Sequence, residues 1–204
     1  MDKRYENTAG ERLNIFVSGS VFFIIVSILS LGILMSSAAN ALYNQAFYHL
    51  KHNKKKGPLF VTLLKDTTHY AKHSWFVSIF IIIATITLTF GYLVAESIVA
   101  YVIIYFLIFE SLLFVVVSLP MMSVFKFQGI KSHIKQALLL GHLHAFSSVV
   151  SILMILTTIY LVFTINTPWN YLMLPIIVII YFAWSSYVFY KTFINYETIL
   201  NQNQ

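Results

Sequence analysis

Residues 74–119 read SWFVSIFIIIATITLTFGYLVAESIVAYVIIYFLIFESLLFVVVSL, and only Glu96 and Glu110 put a charge into them. A helix needs about 20 apolar residues to cross a hydrocarbon core about 30 Å thick. The stretch therefore holds two spans back to back, turning at Glu96. Backbone N–H and C=O groups have no water partner in lipid, so each span is expected to be helical.

Working outward, three further apolar runs are long enough to cross. The expected fold class is an all-α membrane protein of about five transmembrane helices, over 13–35, 74–95, 97–119, 145–165 and 171–190. Composition agrees: 59% of the residues are hydrophobic and 10% charged, with a mean hydropathy of +0.80. Soluble domains run at about 45–50% apolar and about 25% charged, so the surplus apolar surface needs lipid. The chain has no cysteine, which excludes disulfides, thiolate metal sites and cysteine nucleophiles.

The connections alternate in character. Those at Glu96 and at Asn166-Thr167-Pro168-Trp169-Asn170 are tight, whereas 36–73 and 120–144 are long and basic. The long pair carries Lys51, Lys54, Lys55, Lys56, Lys65, Lys72, Lys126, Lys131 and Lys135, and Lys191 follows the last span. By the positive-inside rule these connectors and the tail 192–204 are expected in the cytoplasm, with the N-terminal segment 1–12 outside. The location is a cell membrane, crossed several times. The first run exceeds the about 7–15 residues of a signal-peptide core, so it is read as a retained span although Ala39-Asn40-Ala41 imitates a cleavage site.

Both connectors have amphipathic parts. The small residues Ser36, Ser37, Ala38, Ala39 and Ala41 continue the first span as a helix bending out of the bilayer after Gly32. In the next segment Phe60, Leu63, Leu64 and Ala71 are expected on one face, with Lys65, Asp66, His69 and Lys72 largely elsewhere. In the second connector Ile130, Ile134, Ala137 and Leu138 are expected inward, and Lys131, His133 and Lys135 outward. This shared plan admits a parallel internal repeat.

Several segments, in order, resemble the YesL-like family of bacterial membrane proteins, a domain family of unknown function. They are Leu31-Gly32-Ile33-Leu34 with Ala38-Ala39-Asn40-Ala41-Leu42-Tyr43, then Gly57-Pro58-Leu59-Phe60 with a helix to Trp75. Pro120 and the stretch from Gly129-Ile130-Lys131-Ser132-His133 to Leu140 follow, and Ser185-Ser186-Tyr187 through Phe193 to Tyr196-Glu197 closes the series. Relatives place a proline before the small-residue run, where this chain has Met35-Ser36-Ser37. The resemblance implies a multi-spanning protein of the bacterial cell membrane, in a family some of whose members are associated with carbohydrate-uptake ABC transporters. It brings no catalytic residues.

Glu110 is the sharpest chemical feature, ~15 Å from the cytoplasmic end of its span at 1.5 Å per residue. A charge at that depth costs about 2.5–3.5 kcal/mol on insertion scales, so Glu110 is expected to face the bundle interior. Ser27, Thr85, Thr157, Thr158 and Tyr181 lie at similar depth as partners. Glu110 is read as a proton or cation site, or as a neutral acid bonding a neighbouring helix. The seven histidines carry no zinc-peptidase spacing and are read as interfacial, so no metal or cofactor is expected. Lys54, Lys55, Lys56, Lys65, Lys131 and Lys135 are read as contacts for anionic lipid headgroups or for a cytoplasmic partner. The positive charge is distributed for topology, not for nucleic acid.

No nucleophile elbow, phosphate loop or carboxylate pair is present, so the chain is not expected to be an enzyme. The expected role is a non-catalytic accessory or scaffold component of a transport system, partnered by membrane lipids and transporter subunits. The alternative is a small oligomeric transporter or channel that uses Glu110.

Overall fold

The computed structural model describes the backbone over 3–53, 57–125, 129–164 and 168–202, and side chains over 9–53, 57–125, 129–157, 160 and 175–193. Seven helices follow one another: α1 (Lys3–Leu29), α2 (Met35–His52), α3 (Leu59–Val94), α4 (Ile98–Met122), α5 (Ile130–Leu143), α6 (Ala145–Thr164) and α7 (Pro168–Gln202). Four are long and apolar enough to cross a membrane: α1 over Ala9–Leu29, α3, α4, and α7 over Pro175–Phe193. A fifth is counted if α5 and α6, bent by 100° at His144, form one broken span. The all-helical, multi-span class expected from the sequence is thus present.

α1 ends where Leu31 (φ 51°) and Gly32 (φ 83°) take left-handed conformations. The bend expected at Gly32 is there, but α2 folds back along α1 instead of leaving the bundle. Gly19 makes this possible, since a Cβ there would lie 2.2 Å from Leu42 Cδ1. At the far end Arg12 Nη2 donates to Asn53 Oδ1 at 3.2 Å. The N-terminal part of α1 and the α2–α3 connection therefore lie at the same end of the hairpin, although Arg12 and the connector were expected on opposite sides of the bilayer.

α2 is packed by α1, α3, α4 and α7. Its buried residues include Ser36, Ser37, Asn40, Tyr43, Gln45 and His49. The phenol of Tyr43 meets Ser185 Oγ at 2.8 Å, and its ring lies 5.2 Å from that of Phe182 on α7.

α3 is one continuous helix about 54 Å long at 1.5 Å per residue. It merges the amphipathic segment expected after Gly57 with the second span. Its inward face also differs from the expected one: Phe60 and Leu64 are 57% and 58% exposed, while Leu63, Asp66, Thr67 and Ser74 are buried. The cause is α2, which turns polar side chains toward α3 and selects the polar side of its neighbour. Ser36 Oγ donates to the Ser74 carbonyl at 2.7 Å and meets Ser78 Oγ at 2.7 Å, while Ser37 and Ser74 hydroxyls meet at 2.8 Å. Further along, Asp66 Oδ2 accepts from Asn44 Nδ2 at 2.8 Å and Gln45 Nε2 at 3.1 Å.

α4 starts on Ser97, whose side chain accepts from the Ala100 N–H, and returns antiparallel to α3. Tyr92 faces Tyr101 at one end of this hairpin and Phe80 faces Phe114 further down. α7 joins the fifth span to most of the expected tail, running on to Gln202 without a break.

Candidate functional site: the Glu110–His142 pair

Glu110 stands at the midpoint of α4, twelve residues from either end of Ile98–Met122. What faces it is decided by α5, which runs back along α4 in the antiparallel sense. His133 Nε2 lies 2.5 Å from Ser118 Oγ at one end, and His142 reaches Glu110 at the other. The buried residues of α5 are His133, Ala137 and Gly141, spaced four apart on one face. Small residues at such spacing let two backbones approach closely. At Gly141 the approach is tight: a Cβ would sit 2.2 Å from Leu113 Cδ2.

This corrects the expected orientation of α5. His133, expected outward, is 4% exposed and packs against the rings of Phe76 and Phe114. Ile130 and Ile134, expected inward, are 43% and 36% exposed. Backbone proximity at Ala137 and Gly141 outweighed the burial of two larger apolar side chains.

His142 Nε2 lies 3.2 Å from Glu110 Oε1, and His142 Nδ1 lies 2.8 Å from the Leu138 carbonyl. A carbonyl only accepts, so Nδ1 must carry the proton of that bond. The Nε2···Oε1 contact then needs one more proton between its two atoms. Neutral imidazole with protonated carboxyl, or imidazolium with carboxylate, both provide it, and both leave the pair with no net charge. A hydrogen bond in this contact therefore requires one proton shared between the two helices. No family model matches this chain, and no curated protein or solved structure does. The pair is therefore interpreted from its own geometry.

Glu110 does not point wholly inward as expected. Its side chain is 22% exposed and that of His142 is 57% exposed. Phe106, one turn before Glu110, and Leu139, one turn before His142, are 61% and 57% exposed. The polar pair thus sits in an apolar outer surface. Two of the hydroxyls expected at its depth bond within their own helices: Thr85 donates to the Ile81 carbonyl and Thr157 to that of Leu153. Ser27 Oγ and Tyr181 belong to α1 and α7, and the side chain of Thr158 lies outside the described residues.

The other candidates are not brought to this site. Lys65 is exposed on α3, Lys131 and Lys135 are exposed on α5, and Lys54, Lys55 and Lys56 lie outside the described residues. Among the described residues no three His, Asp or Glu side chains gather as a metal site. Sequence reasoning misses the participation of His142, because two histidines two residues apart point to different helix faces and read as interfacial. The available signal was the Ala137/Gly141 spacing, which marks a face for close packing and puts His142 at its margin.

Proposed function

We propose that this chain is a non-catalytic accessory subunit that assembles with other membrane components through the α4–α5 face. The observation that carries this reading is the partly exposed Glu110–His142 pair, which joins the middle of α4 to the end of α5 among outward-facing Phe106 and Leu139. A polar pair facing hydrocarbon lacks partners for its remaining hydrogen-bonding capacity, and a packed neighbouring helix supplies them. The resemblance to the YesL-like family rests on the quoted residues alone and suggests transporter subunits as that neighbour. On this reading the lysine-rich connectors face the cytoplasm, and the start of α1 sits with them because Arg12 touches Asn53. The amphipathic flanks of α3 and α5 then meet the headgroup region.

The test is a photo-crosslinking amino acid at position 106 or 139, with position 93 on the distal part of α3 as control. Capture in cells of a defined transporter component from 106 and 139, and not from 93, is expected. Recovery of the chain alone in mild detergent, with no crosslinked protein from either position, would reject the assignment.

A second reading is favoured by the shared proton: a small oligomeric proton-linked transporter or channel. Liposome flux separates the two, because a transporter loses proton-coupled flux in Glu110→Gln, whereas an accessory subunit shows equal background leak in both proteins.

A further inference from the structure

Where α2, α3 and α4 come together on the lysine-rich side, two adjacent cavities share Ser123 and Val124 in their walls. One, of about 450 Å³, is lined from α3 by His69, Tyr70 and His73. The other, of about 240 Å³, is lined from α2 by Tyr48, Lys51 and His52. The first alone falls within the about 300–1,000 Å³ of ordinary small-ligand sites.

We infer that this double cleft binds the phosphate headgroup of an anionic phospholipid. The chemistry is that of N–H and O–H donors converging from two helices: an ammonium at Lys51, imidazoles at His52, His69 and His73, and phenols at Tyr48 and Tyr70. Charge favours an anion. Between Glu11 and Glu96 the only acid is Asp66, against Lys51, Lys54, Lys55, Lys56, Lys65 and Lys72. Asp66 accepts from Asn44 and Gln45 of α2 and its charge also reaches Tyr70, so it offsets only part of the lysine charge. The C-terminal ends of α2 and α4 oppose an anion through their exposed carbonyls, so side chains, not helix dipoles, must supply the attraction. Depth favours a lipid over a soluble phosphate. His73 lies two residues before Trp75, which is 47% exposed where the apolar stretch of α3 begins. Trp at that position marks the headgroup level, and basic pockets between helices on the cytoplasmic side hold anionic headgroups. The inference goes beyond partner docking at Glu110 and uses none of its residues.

The test is native mass spectrometry of the full chain in a neutral detergent, titrated with phosphatidylglycerol, with phosphatidylcholine and with inorganic phosphate. Retention of phosphatidylglycerol about tenfold tighter than phosphatidylcholine, undisturbed by millimolar phosphate, is expected. The triple variant Lys51→Gln, His69→Gln, His73→Gln, all at exposed positions, is expected to lose most of that preference. The variant Lys131→Gln, Lys135→Gln removes more charge and is expected to keep it. Equal loss in the two variants would reduce the effect to diffuse attraction and overturn the site. Displacement by inorganic phosphate would overturn the lipid assignment. The wild-type comparison of the two lipids tests the inference even if the triple variant does not fold, and no preference there overturns it.

Discussion

The environment of the Glu110–His142 pair is measurable as an energy. Because His142 Nδ1 donates to the Leu138 carbonyl, neutral His142 offers Nε2 as an acceptor toward position 110. A glutamine there presents an amide N–H to that acceptor, so Glu110→Gln keeps a hydrogen bond and is expected to cost at most about 0.5 kcal/mol. Glu110→Ala removes the bond. An ion pair or hydrogen bond exposed to water is worth about 0.2–1 kcal/mol, whereas one involving a charged partner away from water is worth about 1.5–3 kcal/mol. For a pair exposed to 22% and 57% in an apolar surface, about 1.5 kcal/mol is expected. That corresponds to a Tm lower by roughly 3–6 °C for a chain of this size. The assay is a double-mutant cycle of Glu110→Ala and His142→Ala in a mixed-micelle unfolding titration. A coupling energy under about 0.3 kcal/mol, or equal losses in Glu110→Gln and Glu110→Ala, would refute both the shared proton and the apolar setting.

Three further outcomes are expected. Gly141→Ala forces a Cβ into Leu113 and costs about 1–3 kcal/mol by overpacking; adding Leu113→Val should recover part of the loss, and thermal denaturation of single and double variants checks it. Asp66→Ala strands the buried amide of Gln45 and leaves that of half-buried Asn44 to water, a loss of about 1–3 kcal/mol for the one unsatisfied buried group. Asp66→Asn keeps one acceptor oxygen that can stand where Oδ2 receives both amides, and should lose much less in the same unfolding titration. Gly32→Ala imposes a side chain at φ 83°, with a cost of about 1–2 kcal/mol readable as a lower Tm in detergent; no change would show that the α1–α2 turn relaxes to another geometry.

The long apolar runs were legible because lipid imposes a length and a composition on any helix that crosses it. Glu110 was legible for the same reason, as a charge where none is expected. Which face each helix turns inward was not. Period alone placed Phe60 and Leu64 inside, but a membrane protein has two apolar surroundings, lipid and core, and hydropathy does not separate them. The polar residues of α2 decided the matter, by demanding Ser74, Ser78 and Asp66 as partners. Likewise the return of α2 along α1 depended on Gly19 meeting Leu42, a contact between residues whose pairing no local pattern announces. His142 was legible only indirectly, through the Ala137/Gly141 spacing, because its role comes from the course of α5, and that course is set by the absence of a side chain at Gly141.

The contact of Tyr43 with Ser185 spans 142 residues of chain. At a synthesis rate of about 5–20 residues per second, the ribosome needs roughly 7–28 s to make the second after the first. During that interval the Tyr43 and Phe47 side chains of α2 have no α7 to cover them. Biogenesis must shelter this face of α2 until α7 is made, and a nascent chain halted before Ser185 would present the cell's membrane proteases with an unfinished core.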